Sequence, residues 1–161
     1  MQILDEKRQL AVFTADVEAQ RETIARVFAM LEQRADGLAP DYPERLESVA
    51  YQLHNFYSAI EDLLKIVATY FENSVTDSAQ WHSLLLKRMT QPVQGVRPAA
   101  ISSESYALLN ALRAFRHFFR HAYGVPIDFA QLQSNLQKAQ QLKPLLDQDI
   151  ENFLRSLGAT S

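Results

Sequence analysis

Turn-forming residues are scarce in this chain, and their scarcity limits the folds that it can adopt. Four glycines and six prolines occur among 161 residues, and most lie between segments whose apolar residues recur with helical spacing. So few turns favour long helices over the many short strands of an all-β fold. No strand-like alternation and no internal repeat competes with this pattern. We therefore predict an all-α bundle of four or five helices.

The first predicted helix covers about residues 2–36 and carries a heptad pattern. Its apolar residues recur every seven positions, at Ile3, Leu10, Val17, Ile24 and Leu31. We assign residues 1–37 to this long N-terminal helix and residues 38–161 to the rest of the bundle, within a single domain. The pattern leaves two roles open for the helix. It packs within its own chain, or it serves as an arm that contacts a second copy or a partner protein.

Four further helices are predicted from their apolar faces and their flanking residues. They run from about Pro43 to Phe71, from Ser78 to Thr90, from a cap at Ser102 to Gly124, and from a cap at Asp128 onward. The stretch between the third and fourth helices, QPVQGVRPAA, is a clear loop because it holds two prolines and a glycine.

Composition excludes several classes of function. The chain has no cysteine, which excludes disulfides, a thiol nucleophile and cysteine-ligated zinc or iron–sulfur sites. Its net charge of −3 argues against a protein that coats nucleic acid with a broadly basic surface. No apolar run approaches the roughly 18 residues that span a bilayer, and the N-terminus lacks a signal-peptide pattern. We therefore expect a cytoplasmic protein with no membrane partner.

One window concentrates positive charge. Residues 113–121 read RAFRHFFRH, with no acid among them. On a helix that turns about 100° per residue, one arc carries Arg113, Arg116, His117, Arg120 and His121. Phe115 and Phe119 lie on the opposite side. Like charges one turn apart repel, so an anion is the expected partner. The plain alternative is a solvated basic face beside a bundle core.

These side chains have the chemistry to cleave RNA without a metal. Arginine matches phosphate oxygens bidentately, and histidine moves protons near neutral pH. The nucleophile would be the ribose 2′-hydroxyl, which DNA lacks. A competing interpretation is a metal shared by His117 and His121, completed by His82 and Glu61 if the fold brings them close. The neighbouring arginines would oppose a cation, so we expect no metal and no cofactor.

Polar residues of the second helix also have two interpretations. Glu61 and Asp62 form a solvated helix edge in the structural interpretation. In the functional interpretation, one of the two acids orients an arginine or histidine of the basic window. His54 and Tyr57 are expected to be packed residues of the bundle.

A family resemblance rests on the residues of the basic window. Residues 116–123 read RHFFRHAY, which fits the R-x4-H-x-Y pattern of HepT-like toxins of the HEPN superfamily. The segments LRAFRHFFRHAYGVPID, YQLHNFYSAIEDLLKIV and WHSLLLKRM also resemble that family, over roughly residues 44–157. One departure is His117, which follows the motif arginine where many HEPN nucleases carry Asn or Asp.

The resemblance implies a dimeric HEPN-type bundle that cuts RNA, without metal, at a cleft between two protomers. By this resemblance Arg116 stabilises the phosphate and the transition state, and His121 transfers protons. The supporting or RNA-binding residues are Arg113, His117 and Arg120. The implied antitoxin is a minimal nucleotidyltransferase, which silences the toxin by transferring AMP to Tyr123. The alternative is a non-catalytic HEPN module that binds such a nucleotidyltransferase or an RNA.

Overall fold

A computed structural model of the chain describes residues 2–72, 81–121 and 124–158. These residues form five helices, which are α1 (Gln2–Ala35), α2 (Pro43–Glu72), α3 (Trp81–Met89), α4 (Ser103–His121) and α5 (Phe129–Ser156). No strand occurs within the described ranges, so the all-α prediction is confirmed. Across the same ranges, no helix combines the length and the apolar character that crossing a membrane requires.

The predicted caps of α4 and α5 are both present. Ser102 Oγ accepts a hydrogen bond from the backbone N–H of Ser105 at 3.1 Å, which satisfies one free donor of the first turn of α4. Asp149 of α5 extends this cap, because its Oδ2 accepts from the Ser102 N–H at 3.0 Å and from the Ser105 hydroxyl at 2.6 Å. Asp128 accepts from the N–H of Ala130 at the start of α5. The start predicted for the third helix, Ser78–Gln80, lies outside the described residues.

The heptad residues of α1 pack against α2. Val17, Ile24 and Leu31 are buried, whereas Ile3 is 69% exposed. Phe28 near the end of α1 contacts Phe56 in the middle of α2, with ring centroids 5.3 Å apart. Phe13, earlier in α1, contacts residues at the end of α2, so the two helices are antiparallel. From Phe13 onward, α1 therefore contributes to the core of its own chain.

A buried ion pair holds the loop between α3 and α4. Arg97 has a fully buried side chain that donates to the backbone oxygens of Gln91 and Pro98, at 2.9 Å in each case. Its Nη2 also lies 3.4 Å from Glu72 Oε1, which accepts from Arg88 Nε at 2.6 Å. The loop that leads into α4 is therefore fastened to the ends of α2 and α3.

Candidate active site

Arg113, Arg116 and Arg120 form a basic stripe along α4, and this stripe lies beside α2. Leu109, Leu112 and Phe115 are buried, and they fix the rotation of α4 about its axis. The next residue, Arg116, consequently faces α2, with its guanidinium carbon 5.5 Å from the centre of the Tyr57 ring. The basic window is therefore only partly the solvated face of the plain alternative.

Few polar contacts within the described residues hold the arginines of this stripe. Arg113 donates twice to the Asn110 side-chain oxygen, at 3.1 and 2.9 Å. Arg116 is half-buried, and its Nε is buried without a hydrogen-bond partner. Arg120 and His117 are exposed. In the described part of the chain none of the three arginines forms a salt bridge, so the stripe can take an anion.

Behind Arg116 lies a buried carboxylate. The side chain of Glu61 is only 3% exposed, so its interpretation as part of a solvated edge is wrong. Its Oε2 accepts from the Tyr57 hydroxyl at 2.8 Å and lies 2.8 Å from His82 Nδ1 of α3. Asp62, by contrast, is exposed and pairs with Lys65 at 3.5 Å. Tyr57 therefore links the two groups, because its hydroxyl donates to Glu61 and its ring lies beside Arg116. Asp62 lies at the surface.

Tyr57 is fully buried between this carboxylate and Arg116, as its packed interpretation predicted. Burial raises the pKa of Tyr57 far above its usual range, and the charge and hydrogen bond of Glu61 raise it further. Arg116 and Arg113 lower it only in part. Tyr57 therefore remains a neutral phenol that donates to Glu61 and offers its ring face to Arg116.

His54 lies one turn before Tyr57 on α2 and belongs to the same site. Its ring centroid is 6.4 Å from that of Phe119, and its Nδ1 is buried without a hydrogen-bond partner. Burial lowers the pKa of His54, and the charges of Arg116 and Arg120 lower it further. The ring is therefore neutral at pH 7. A sequence signal existed, because positions 54, 57 and 61 share one helical face.

Two predicted residues can be placed only by their position in the chain. His121 is the last residue of α4, five positions after Arg116, and the structure describes its backbone only. Tyr123 lies outside the described residues altogether. The fold does bring His82 and Glu61 together, as the metal alternative required. However, the described residues contain no group of three or more metal-ligating side chains placed to hold an ion.

Replacing Tyr57 with phenylalanine should lower the free energy of unfolding by about 1–3 kcal/mol, because the buried Glu61 carboxylate loses a hydrogen bond. Urea denaturation at pH 7 measures this difference. Tyr51→Phe is the matched control, since Tyr51 lies on the same helix and is 55% exposed. If both variants unfold at the same urea concentration, the Tyr57–Glu61 hydrogen bond has no role in stability.

Comparison with known proteins identifies the family of the chain. The family model of HepT-like proteins matches residues 48–157, a span that includes α3, α4, α5 and most of α2. Helix α1 lies outside that span. Neither the comparison with curated proteins nor the comparison with solved structures gave a match. Because the family model covers well over half of the chain and the fold is an all-α, HEPN-type bundle, the chain belongs to the HepT-like family of the HEPN superfamily.

Proposed function

We propose that this protein is a metal-independent endoribonuclease toxin that acts as a homodimer in the cytoplasm. The observation that carries the proposal is the position of Arg116. It lies half-buried on α4 between Arg113 and Arg120, forms no salt bridge within the described residues, and is close enough to the neutral His54 to lower its pKa. In a chain of the HepT-like family, such a cluster suits the phosphodiester of RNA.

The reaction needs one phosphate contact and two proton transfers. The ribose 2′-oxygen attacks the adjacent phosphorus while its proton passes to a histidine acting as base. The bond from phosphorus to the 5′-oxygen breaks, and that oxygen takes a proton from a histidine acting as acid. Arg116 would hold the non-bridging oxygens as negative charge grows on them. His121 would transfer the protons, and the second protomer would supply the second histidine. The products are a 2′,3′-cyclic phosphate and a 5′-hydroxyl.

The neighbouring residues have secondary roles in this scheme. Arg113, His117 and Arg120 would contact flanking phosphates of the RNA. Glu61 would act as a positioning residue, because it holds the phenol of Tyr57 on which Arg116 rests. Of the two acids considered from the sequence, Asp62 is the less suitable for this role because its side chain is 59% exposed, whereas that of Glu61 is 3% exposed.

The proposed antitoxin is a minimal nucleotidyltransferase that modifies Tyr123. The tyrosine oxygen attacks the α-phosphate of ATP, and pyrophosphate leaves. The added adenylyl phosphate would lie two residues from His121 and would place a negative charge beside a site built for the RNA phosphate. Modification at this position therefore blocks the substrate by competition for the same cations.

Expression of the wild-type chain in bacteria should arrest growth, and expression of His121→Ala should not, because that variant lacks the proposed proton-transfer group. Colony counts after induction measure the difference. Co-expression with the nucleotidyltransferase should restore growth and add the mass of AMP to the peptide that contains Tyr123. Equal arrest by both chains contradicts the role of His121. Harmless expression of the wild type favours the non-catalytic binding module.

A further inference from the structure

Two buried polar atoms without hydrogen-bond partners belong to residues that lie where α2 meets α4. They are Nδ1 of His54 and Nε of Arg116. Arg116 lies over the ring of Tyr57, which is one turn after His54 on α2, and the His54 ring lies 6.4 Å from that of Phe119 on α4. A buried polar atom without a partner is destabilising, so two at one place require an explanation.

The Nδ1 atom of His54 has no structural hydrogen bond, because it is buried without a donor or an acceptor. Within the described residues, the charged groups that act on the ring are Arg116 and Arg120, which lie one turn apart on α4. Both are cations that oppose protonation of the ring, and neither forms a salt bridge within the described residues.

We propose that His54 completes an anion site with Arg116 and Arg120, and that a phosphate group bound there draws a proton from solvent onto the imidazole. This inference rests on the proposed function, because the phosphate it assigns is a phosphodiester of the RNA substrate. An anion between the two arginines cancels the repulsion that keeps His54 neutral, and it accepts a hydrogen bond from the imidazolium.

Binding of phosphate at this site is consequently coupled to proton uptake. The protonated ring attracts the anion and the neutral ring does not, so affinity rises as the pH falls through the titration range of His54. The pH dependence of anion affinity distinguishes this role of His54 from a purely structural one. If His54 only packed in the core, replacing it would leave that pH dependence unchanged.

Histidine-labelled wild-type protein tests the inference by NMR. The probes are inorganic phosphate and a dinucleotide that lacks the 2′-hydroxyl, so that the phosphodiester stays intact. Without a probe, the titration midpoint of His54 should lie below the ordinary histidine value of 6.5. Both probes should raise that midpoint. Sodium chloride at the same ionic strength is the control and should leave that midpoint unchanged.

A variant gives a second readout. His54→Asn keeps a polar side chain of similar reach but cannot take the proton. Its affinity for the dinucleotide should be about 10- to 100-fold weaker than that of the wild type at pH 6, the loss of one charge-assisted hydrogen bond. At pH 8 the two proteins should bind alike. A misfolded variant would instead lose affinity at both pH values, and the wild-type titration then decides.

The outcomes separate this inference from the nuclease proposal. If both probes leave the His54 midpoint unchanged, the inference is wrong, whether or not the protein cleaves RNA in an Arg116-dependent manner. If sodium chloride at the same ionic strength raises the His54 midpoint as much as the probes do, the effect is screening of charge, and the inference is wrong as well. If only the His54 midpoint rises and RNA is not cleaved, the anion site stands and the nuclease proposal falls.

Discussion

Replacing Phe13 with alanine is expected to lower the free energy of unfolding by about 3–5 kcal/mol, which places it among the most damaging substitutions in this chain. Phe13 is 2% exposed and joins three helices. Its ring stacks on Tyr70 at 4.4 Å between centroids, and it meets Phe71 and Phe153 edge-on at 5.4 and 6.4 Å. Alanine would leave a cavity lined by aromatic rings that cannot close around it.

Chemical denaturation of Phe13→Ala and of a neighbouring control measures this effect. Val12 is adjacent in sequence but 56% exposed, so Val12→Ala should change the free energy of unfolding by less than about 0.5 kcal/mol. The comparison also tests the role of α1, which lies outside the span matched by the family. A small effect of Phe13→Ala would mean that α1 is an arm that detaches from the bundle.

The helices and their ends could be predicted from the sequence because the signals are local. Gly37 follows α1, Ser102 and Asp128 cap α4 and α5, and apolar residues follow the helical period between them. Each of these features depends on residues within a turn or two of one another. The heptad pattern also predicted that α1 is amphipathic, but it left open whether α1 packs on α2.

The burial of Glu61 could not be predicted in the same way. A charged residue between Ile60 and Asp62 is most simply placed at a helix edge, and Asp62 does lie there. Glu61 is buried because α3, more than twenty residues later, places His82 against it. A carboxylate becomes stable in such a position only when donors from distant elements surround it, and single-helix periodicity does not report them.

Only part of the candidate site can be predicted from the sequence. The basic arc of α4 is evident from residues 113–121, and in one interpretation an acid of α2, Glu61 or Asp62, orients it. The sequence does not show that His54 and Tyr57 lie beside Arg116, since a lone polar residue on an apolar face usually packs in the core. Their proximity to Arg116 depends on the antiparallel packing of α2 and α4, which is a property of the tertiary fold.

Replacing Arg116 with alanine is expected to reduce RNA cleavage about 100- to 1,000-fold, the usual loss when one donor to a developing oxyanion is removed. The cleavage rate of Arg116→Lys should lie between those of Arg116→Ala and the wild type, because lysine keeps the charge but lacks the bidentate fork. Arg26→Ala is the matched control, since Arg26 is an exposed arginine of α1 that donates a hydrogen bond to the Thr23 hydroxyl, away from the site on α4. Its cleavage rate should equal that of the wild type.

Thermal unfolding of each variant separates loss of activity from loss of fold. Arg116 forms no salt bridge within the described residues, so Arg116→Ala should retain a cooperative transition close to that of the wild type. If Arg116→Ala is folded and cleaves RNA as fast as Arg26→Ala, the site assigned to α4 is wrong.

The most direct test of the account is the chemistry of the RNA ends. Purified wild-type protein is incubated with RNA in excess EDTA, and the products are analysed by mass spectrometry. We expect cleavage that EDTA does not inhibit and products with 2′,3′-cyclic phosphate and 5′-hydroxyl ends. RNA that lacks the 2′-hydroxyl should not be cleaved. Cleavage that requires a divalent metal, or that leaves 5′-phosphate ends, would contradict the proposed attack by the 2′-hydroxyl.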